Sequence, residues 1–283
     1  MRAIKKIHTA VYAPIADLIT HRAIPTSSID YLDPFLFLNH HGPQTYKKNN
    51  GGLPFGPHPH RGFETLTYVI KGDIAHLDSG GGESVIKEGG IQWMTAGSGL
   101  IHSEVSSDEF KKNGGEEEVI QLWMNLKAEH KMVKPNYIGL TKEEITHFNL
   151  DEEKVTVDLI SGKWGDFKGP VDSLGELTMT SIQIKEGGRL NLSVPEGHEI
   201  LFYLVKGELA INDLPVKKHQ LVQFEMESGE IAIEAKSDAY IIFAHALPFN
   251  EPVVAEGPFV MNSEKEIQEA YADYRNGKMG KWN

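Results

Sequence analysis

Short runs of alternating apolar and polar residues, separated by glycines, recur along most of the chain. The clearest run is EIAIEA, from Glu230 to Ala235, where every second side chain is apolar. Successive side chains of a strand point to opposite faces, so this run would bury one face. Because the runs are short and the turns are frequent, the pattern predicts an all-β fold of sandwich or barrel type.

Helical periodicity is sparse, and its best example lies near the C-terminal end. In SEKEIQEAYADYR, from Ser263 to Arg275, apolar residues recur on one helical face. Ser263 is a suitable N-terminal cap, and Glu266 follows it at the spacing of a capping box. The sequence therefore predicts one short helix in this region.

Two segments of the chain are closely similar to each other. TYVIKGDIAHLD, from Thr67 to Asp78, aligns without gaps with FYLVKGELAIND, from Phe202 to Asp213. Each segment has the pattern of a strand, a tight turn at Lys-Gly and a second strand, which is typical of a β-hairpin. We therefore expect two copies of one all-β unit.

The boundary between the copies is expected in the polar segment KAEHKMVKPNY, which directly follows Leu126. Polar segments that contain proline commonly interrupt regular structure. The residues after Pro248 would form an extension that packs back on the body. The predicted domains are an N-terminal barrel at residues 1–130, a C-terminal barrel at 131–250 and an extension with a helix at 251–283.

The overall charge limits the partners that the chain can bind. The formal net charge is -12, and the lysine pairs are short and scattered. Such a field repels polyanions, so we expect no direct contact with nucleic acid and none with an anionic membrane. The chain has no cysteine, which excludes thiolate sites and suits a reducing compartment. Without a signal-like or membrane-spanning apolar stretch, the sequence predicts a cytoplasmic protein.

The segment PHPHRGFET places His58 and His60 two residues apart, around a proline. In an extended strand both imidazoles point to one face, about 6–7 Å apart along the chain, and can converge on one ion. Farther on, GLIHSE offers His102 and Glu104 at the same spacing. On neighbouring strands the two pairs would present three imidazoles and one carboxylate. This donor set suits a first-row divalent ion (Fe, Mn, Co, Ni, Cu or Zn) rather than Ca²⁺ or Mg²⁺.

Glu64 is the alternative carboxylate ligand. Extending the repeat backward pairs Glu64 with Glu199, although the second copy lacks both histidines of the HPH motif. A copy without these histidines cannot hold metal. The glutamate that it still contains is therefore better explained by a structural role in the turn than by metal binding. We therefore favour Glu104 as the ligand, interpret Glu64 as a structural or neighbouring carboxylate, and expect the second barrel to have lost its metal site. The other histidines of the second copy are interpreted as isolated: His198, His219 and His245.

Taken together, these segments closely resemble the pirin family of bicupins. The matching stretches are DPFLFLNH (Asp33–His40), HPHRGFETLTYVIKG (His58–Gly72), QWMTAGSGLIHSE (Gln92–Glu104), QLWMNL (Gln121–Leu126) and GPFVMNSEKEIQEAYADYRNGKMGKW (Gly257–Trp282). The HPHRGFET and MTAGSGLIHSE boxes together are specific, whereas either one alone is typical of cupins in general. The resemblance implies two β-barrels of jelly-roll type packed face to face, with a short C-terminal helix.

The resemblance also implies one divalent metal, usually iron, in the N-terminal barrel. The ligands of that family fall on His58, His60, His102 and Glu104, whereas the general cupin pattern makes the position of Glu64 a ligand. Fe(II) is therefore the expected cofactor, with Mn, Co, Ni, Cu and Zn as alternatives.

The resemblance leads to a first hypothesis of catalysis, because several family members have quercetin 2,3-dioxygenase activity. A flavonol or related enediol would bind the metal, dioxygen would attack the activated substrate, and Glu104 would act as the general base. The substrate pocket needs aromatic walls, although each aromatic candidate has a role in the hydrophobic core as its alternative. The candidates beside the ligands are Glu64, Phe55, Phe63, Trp93, Gln121 and Trp123. Gln121 and Asn125 share the strand face of Trp123.

The alternative hypothesis is a non-catalytic, metal-binding regulatory protein that acts through a protein partner, as other family members do. An acidic chain disfavours direct DNA binding, so such a role would pass through another protein. A metal-dependent isomerase or epimerase, which needs no dioxygen, is the third hypothesis. We expect a monomer in each case.

Overall fold

The structure is a computed structural model that describes residues 1–282. The expected all-β class is confirmed, because strands make up most of the regular structure of the described residues. These residues also form two α-helices and two short 3₁₀ helices, at Ala128–His130 and Lys142–Glu144. Within them no helix combines the length and the apolar character needed to cross a membrane.

Strands follow one another at short intervals along the chain. The first part contains β1 (Ile4–Thr9), β2 (Val11–Tyr12), β3 (Thr20–Ile24), β4 (Phe35–Tyr46), β5 (Phe55–His60), β6 (Phe63–Lys71), β7 (Asp73–Asp78), β8 (Glu83–Lys87), β9 (Ile91–Thr95), β10 (Leu100–Val105), α1 (Asp108–Asn113) and β11 (Gly115–Asn125).

The second part begins with β12 (Asn136–Leu140), β13 (Thr146–Leu150), β14 (Val155–Ser161), β15 (Lys163–Trp164), β16 (Phe167–Lys168), β17 (Thr178–Ile184) and β18 (Arg189–Ser193). It continues with β19 (Glu199–Lys206), β20 (Glu208–Ile211), β21 (Leu214–Lys217), β22 (Gln220–Phe224), β23 (Glu230–Ala235) and β24 (Ala239–Ala246). The last elements are β25 (Val254–Glu256), β26 (Phe259–Met261) and α2 (Glu264–Arg275).

The chain divides into two compact units, each assembled from separate segments. The HPH unit contains the HPH motif and consists of Tyr12–His21, Leu36–Glu143 and the chain from Phe249 onward. The second unit consists of Met1–Val11, Arg22–Phe35 and Glu144–Pro248. These units are defined by spatial contacts, so the linear boundaries at 130 and 250 stay a prediction.

The HPH unit is built on two antiparallel sheets. One has seven strands in the order β12-β9-β6-β11-β4-β3-β2, and the other has four in the order β5-β10-β7-β8. An apolar cluster joins the two sheets, with Val69 and Val119 from the larger sheet and Ile74 and Ile86 from the smaller one. This pair of sheets is the layered arrangement expected of a jelly roll.

The second unit repeats the architecture with an apolar interior. Its sheets have the orders β1-β22-β19-β24-β17-β14-β13 and β18-β23-β20-β21. The run EIAIEA forms β23 and buries Ile231, Ile233 and Ala235, as its alternation predicts. These side chains join a large cluster with Phe202 and Phe243, so this interior is filled by hydrocarbon.

The Lys-Gly turns of the repeat do not form hairpins, and that prediction is wrong. β6 and β7 belong to different sheets although they adjoin at Gly72, and the same holds for β19 and β20 at Gly207. Both glycines adopt a positive φ, +86° and +89°, which other residues rarely tolerate. Each turn therefore passes the chain from one sheet to the other, at equivalent places in the two copies.

The predicted C-terminal helix is confirmed as α2. The Ser263 side chain accepts a hydrogen bond from the Glu266 amide, and the Glu266 carboxylate accepts one from the Ser263 hydroxyl. Ile267 and Ala270 are buried, so one face of the helix packs on the HPH unit.

Candidate metal centre

Two neighbouring strands bring the motif histidines together. β5 and β10 pair antiparallel, with His58 directly opposite His102. His60 lies two residues beyond His58 on the same strand and therefore on the same face. The register shifts by a bulge between His102 and Glu104. The predicted meeting of the HPH and HxE motifs on adjacent strands is therefore observed.

Three imidazole nitrogens converge in this place. The Nε2 atom of His58 lies 3.1 Å from that of His60 and 3.0 Å from that of His102. His60 and His102 are buried, with exposed fractions of 3% and 1%, and His58 is half-buried. Among residues 1–282 this is the one group of three or more metal-ligating side chains with donor atoms within 4.8 Å of one another.

Hydrogen bonds to backbone carbonyls set the tautomers of the two HPH histidines. His58 Nδ1 donates to the Gly56 carbonyl at 2.7 Å, and His60 Nδ1 donates to the Pro258 carbonyl at 3.1 Å. A carbonyl only accepts, so in each neutral ring Nδ1 carries the proton and Nε2 keeps its lone pair. The lone pairs of His58 and His60 therefore face each other, an arrangement that a shared cation stabilises.

The spacing of these nitrogens fits the ligands of one metal ion. With metal–nitrogen bonds of about 2.1 Å, two ligands at a right angle lie about 3.0 Å apart. Imidazole nitrogens are typical ligands of first-row divalent ions. The side chains of His58, His60 and His102 therefore fit the metal that the sequence predicts.

Burial keeps two of the imidazoles neutral. Burial, reinforced by the neighbouring His58, lowers the pKa of His60 to about 3. Burial, together with His60 and His58, lowers the pKa of His102 well below its usual value. A metal ligand must offer an unprotonated nitrogen, so both rings are ready to bind at neutral pH.

Glu104 lies at the edge of the histidine cluster. Its Oε2 is 3.9 Å from His102 Nε2, and its carboxylate is buried. The Thr67 hydroxyl, from the facing sheet, donates a hydrogen bond to Oε1 of Glu104. The side-chain amide of Gln121 lies 3.1 Å from the same hydroxyl. Thr67 therefore holds one oxygen of Glu104 and leaves the other towards the histidines.

Glu64 lies on the opposite face of its strand from Thr67. It is three residues before Thr67 on β6, and side chains an odd number of residues apart point to opposite faces. The Glu64 carboxylate is buried and accepts a hydrogen bond of 2.7 Å from the Thr95 hydroxyl. Glu64 is therefore directed away from the histidine cluster.

Aromatic rings form a wall beside His60. The ring centroids of Phe63 and Trp123 lie 5.0 and 5.2 Å from that of His60, and 4.6 Å from each other. Phe37, which the sequence reasoning missed, stacks on Trp123 at 4.6 Å. Phe37 and Trp123 are half-buried, so the outer part of the wall remains accessible.

The remaining pocket candidates make other contacts. Phe55 is opposite Glu104 on β5 and packs against the apolar cluster that contains Leu18 and Val69. Trp93 is almost fully buried and lies on the face of β9 opposite to Gln92, the partner of Thr67. Asn125 accepts a hydrogen bond of 2.6 Å from Lys131.

His76, which is not among the candidates from the sequence, also lies next to the cluster. It pairs with Glu104 across β7 and β10, and its ring centroid is 5.4 Å from that of His102. Its Nε2 donates to Asp78 at 2.9 Å, and its ring stacks on Tyr137 at 3.8 Å. His76 and Asp78 lie two residues apart on one strand, and this spacing was the feature of the sequence that could have identified the pair.

The second unit contains a histidine pair that the sequence analysis treated as isolated, which is wrong. The Nδ1 atoms of His198 and His245 lie 3.0 Å apart. Burial, with His198 beside it, lowers the pKa of His245 to about 4. The Arg2 guanidinium donates to the His198 carbonyl at 2.6 Å and adds positive charge there. A pair of imidazoles next to a cation provides fewer ligands than the cluster of the HPH unit.

The fold and the histidine cluster define the class: this is a cupin-type protein with two cupin domains, a bicupin. The chain belongs to the pirin family. The Pirin family model matches residues 17–124, and the model of the Pirin C-terminal cupin domain matches residues 179–280.

Relatives from distant organisms match nearly the whole chain. A Pseudomonas aeruginosa protein with the provisional name quercetin 2,3-dioxygenase PA2418 is 34% identical, over 94% of this chain and 91% of its own. Human Pirin is 33% identical, over 92% of this chain and 87% of its own. The crystal structure of quercetin 2,3-dioxygenase from Acinetobacter baumannii matches with a TM-score of 0.93, 32% identity and 99% of each chain.

Proposed function

We propose that this protein is a metal-dependent dioxygenase that cleaves quercetin or a related flavonol or enediol with dioxygen. The observation that carries the proposal is the convergence of three imidazole nitrogens, two of them from buried histidines, beside a carboxylate and an aromatic wall. The likeness to a protein named quercetin 2,3-dioxygenase supports the same reaction class.

The metal ligands in this proposal are His58, His60, His102 and Glu104. Fe(II) is the proposed metal, and Mn, Co, Ni, Cu and Zn are its alternatives for this donor set. When bound, such an ion supplies Lewis acidity to a substrate hydroxyl and, if redox-active, electrons to dioxygen.

Glu104 is the proposed catalytic base. Its Oε1 is held by the Thr67 hydroxyl, whereas Oε2 faces the histidines. A substrate hydroxyl at the cluster would lie within reach of Oε2 and could transfer its proton to that oxygen. Thr67 orients the carboxylate by its hydrogen bond, and Gln121 lies within hydrogen-bond distance of the same Thr67 hydroxyl.

Trp123, Phe63 and Phe37 form the proposed substrate wall. Aromatic rings prefer offset or edge-to-face contacts with other rings, so this wall suits a flat aromatic substrate. The wall also excludes water from the side of His60, which strengthens electrostatic interactions at the cluster. A cytoplasmic location, a monomeric state and the absence of direct nucleic-acid contact stay predictions.

Dioxygen uptake with quercetin tests the proposal. We expect the Fe(II)-loaded protein to consume dioxygen, and Glu104→Gln to reduce the rate by about 100-fold or more, because the base is removed. The matched control is Glu64→Gln, a buried carboxylate on the opposite face, which should keep most of the activity.

Three results would contradict the proposal. Loss of uptake in Glu64→Gln alone would favour the general cupin ligand pattern. A protein with bound metal and no uptake would instead favour a regulatory role through a protein partner. Turnover that persists without dioxygen would indicate an isomerase or epimerase.

A further inference from the structure

The C-terminal part of the chain supplies the hydrogen-bond partner of a proposed metal ligand. The Pro258 carbonyl accepts the hydrogen bond of 3.1 Å from His60 Nδ1, across 198 positions in sequence. This bond fixes the tautomer that leaves Nε2 of His60 free to bind. We refer to residues 258–279, which contain β26 and α2, as the C-terminal clamp.

Backbone contacts hold the clamp against the turn that follows His60. Phe259 forms a parallel bridge with Arg61, and the Val260 amide donates to the Arg61 carbonyl at 3.1 Å. At Gly62, with φ of +87°, an added Cβ would lie 2.0 Å from the Val260 carbonyl oxygen. Only glycine therefore allows this close approach of the two backbones.

Arg61 links the clamp to the second histidine-bearing strand. Its Nη2 donates to Asp273 of α2 at 3.0 Å, and its Nε donates to the Ser98 carbonyl at 2.8 Å. Ser98 lies in the turn that leads into β10 and His102. The Arg61 side chain is 5% exposed, so its charge depends on these partners.

The clamp also packs directly against β10. Ile101, the neighbour of His102, belongs to one apolar cluster with Phe259, Ile267 and Met279. The Ser79 hydroxyl donates to the Met279 carbonyl at 2.8 Å and accepts from the Ile101 amide at 3.0 Å. Both strands of the histidine cluster are thus in contact with the same C-terminal segment.

We propose that the C-terminal clamp positions His60 for metal binding, with Asp273 and Arg61 as positioning residues that dock α2. This inference rests on the metal centre proposed above. Hydrogen-bond partners behind a ligating histidine typically contribute 10–100-fold to metal affinity. Changes that loosen α2 should therefore weaken metal binding without touching a ligand.

The test compares Co²⁺ affinity, measured by competition with a chelator, in the full-length protein and three variants. Asp273→Asn removes the charge that pairs with Arg61 and should lower the affinity about tenfold. Asp273→Glu keeps the charge and should restore most of it. Glu269→Gln is the matched control, because this exposed residue of α2 pairs with Lys265 at 3.8 Å and lies outside the ion pair of Arg61 and Asp273.

A thermal melt of the metal-free protein separates positioning from general stability. If Asp273→Asn lowers the melting temperature but binds Co²⁺ as tightly as the unchanged protein at 25 °C, the clamp has no role in metal binding. Equal losses of Co²⁺ affinity in Glu269→Gln and Asp273→Asn would also overturn the proposed role of the clamp. Arg61→Lys provides a fourth variant, which keeps the charge but loses the bond to Ser98, and it should also weaken Co²⁺ binding.

His102→Ala distinguishes failure of the clamp from failure of the metal centre itself. If His102→Ala binds Co²⁺ as the unchanged protein does, the proposed metal centre is wrong. If His102→Ala loses the ion and Asp273→Asn does not, the clamp alone is wrong.

Discussion

At the scale of residues, the candidate ligands could be predicted from the sequence motifs, but their hydrogen-bond partners could not. The spacing of His58, His60, His102 and Glu104 was visible in the sequence, because a strand places alternate residues on one face. Thr67 and the Pro258 carbonyl were not visible as partners, because their contacts depend on how distant segments fold together. Orientation of a predicted ligand is therefore harder to predict than the ligand itself.

Glu117 provides a prediction at the residue scale. It is fully buried, and among residues 1–282 neither carboxylate oxygen has a hydrogen-bond partner of good geometry. Burial, reinforced by Asp73, raises the pKa of Glu117 from 4.5 to about 8. Between these pH values the folded chain binds more protons than the unfolded chain, so stability falls as pH rises through this window. Glu117→Gln should therefore stabilise the protein at pH 8 by about 2 kcal/mol or more.

Urea unfolding at pH 4.5 and pH 8 measures this effect. The variant should gain stability at pH 8 and little at pH 4.5, where Glu117 is protonated in the folded state and already half protonated in the unfolded state. Glu116→Gln, on the exposed neighbour, is the control and should show no such difference. An equal gain in the free energy of unfolding of Glu117→Gln at pH 4.5 and at pH 8 would contradict the explanation.

At the scale of elements, strand type was easier to predict than strand pairing. The alternation in β23 and the capping box of α2 are local signals, and both elements form as expected. The Lys-Gly turns looked like hairpins because two strands flank a glycine. Their strands pair with other partners, since the fold divides them between two sheets.

The turn glycines of the second unit give an element-scale prediction. Gly197 and Gly207 have φ of +80° and +89°. An added Cβ at Gly197 would meet its nearest atom at 3.8 Å, whereas at Gly207 it would lie 2.4 Å from the Asp238 carbonyl oxygen. Gly197→Ala should cost about 1–2 kcal/mol from backbone strain alone. Gly207→Ala should cost at least about 2 kcal/mol more, because the backbone must also shift.

Thermal or urea unfolding of the two alanine variants compares these costs. Both positions lie in the second unit, so the pair is matched for its surroundings and for the sign of φ. Equal destabilisation would show that the close carbonyl at Gly207 relaxes freely, contrary to this interpretation.

At the scale of the whole molecule, the repeat predicted two similar units but not which segments of the chain make up each unit. Both units combine a seven-stranded and a four-stranded sheet. The first eleven residues belong to the second unit, and the chain from Phe249 onward belongs to the HPH unit. Linear patterns reveal copies of a fold, whereas the exchange of terminal segments depends on long-range contacts that leave no periodic signal.

The central claim is that the HPH unit holds the metal centre of this pirin-family protein. Metal content after loading with Fe(II), or with Ni²⁺ as a redox-stable substitute, tests it most directly. We expect one ion per chain, loss of the ion in His102→Ala, and retention in His245→Ala, which alters the histidine pair of the second unit. An ion that stays bound in His102→Ala, or that is lost in His245→Ala, would contradict the claim.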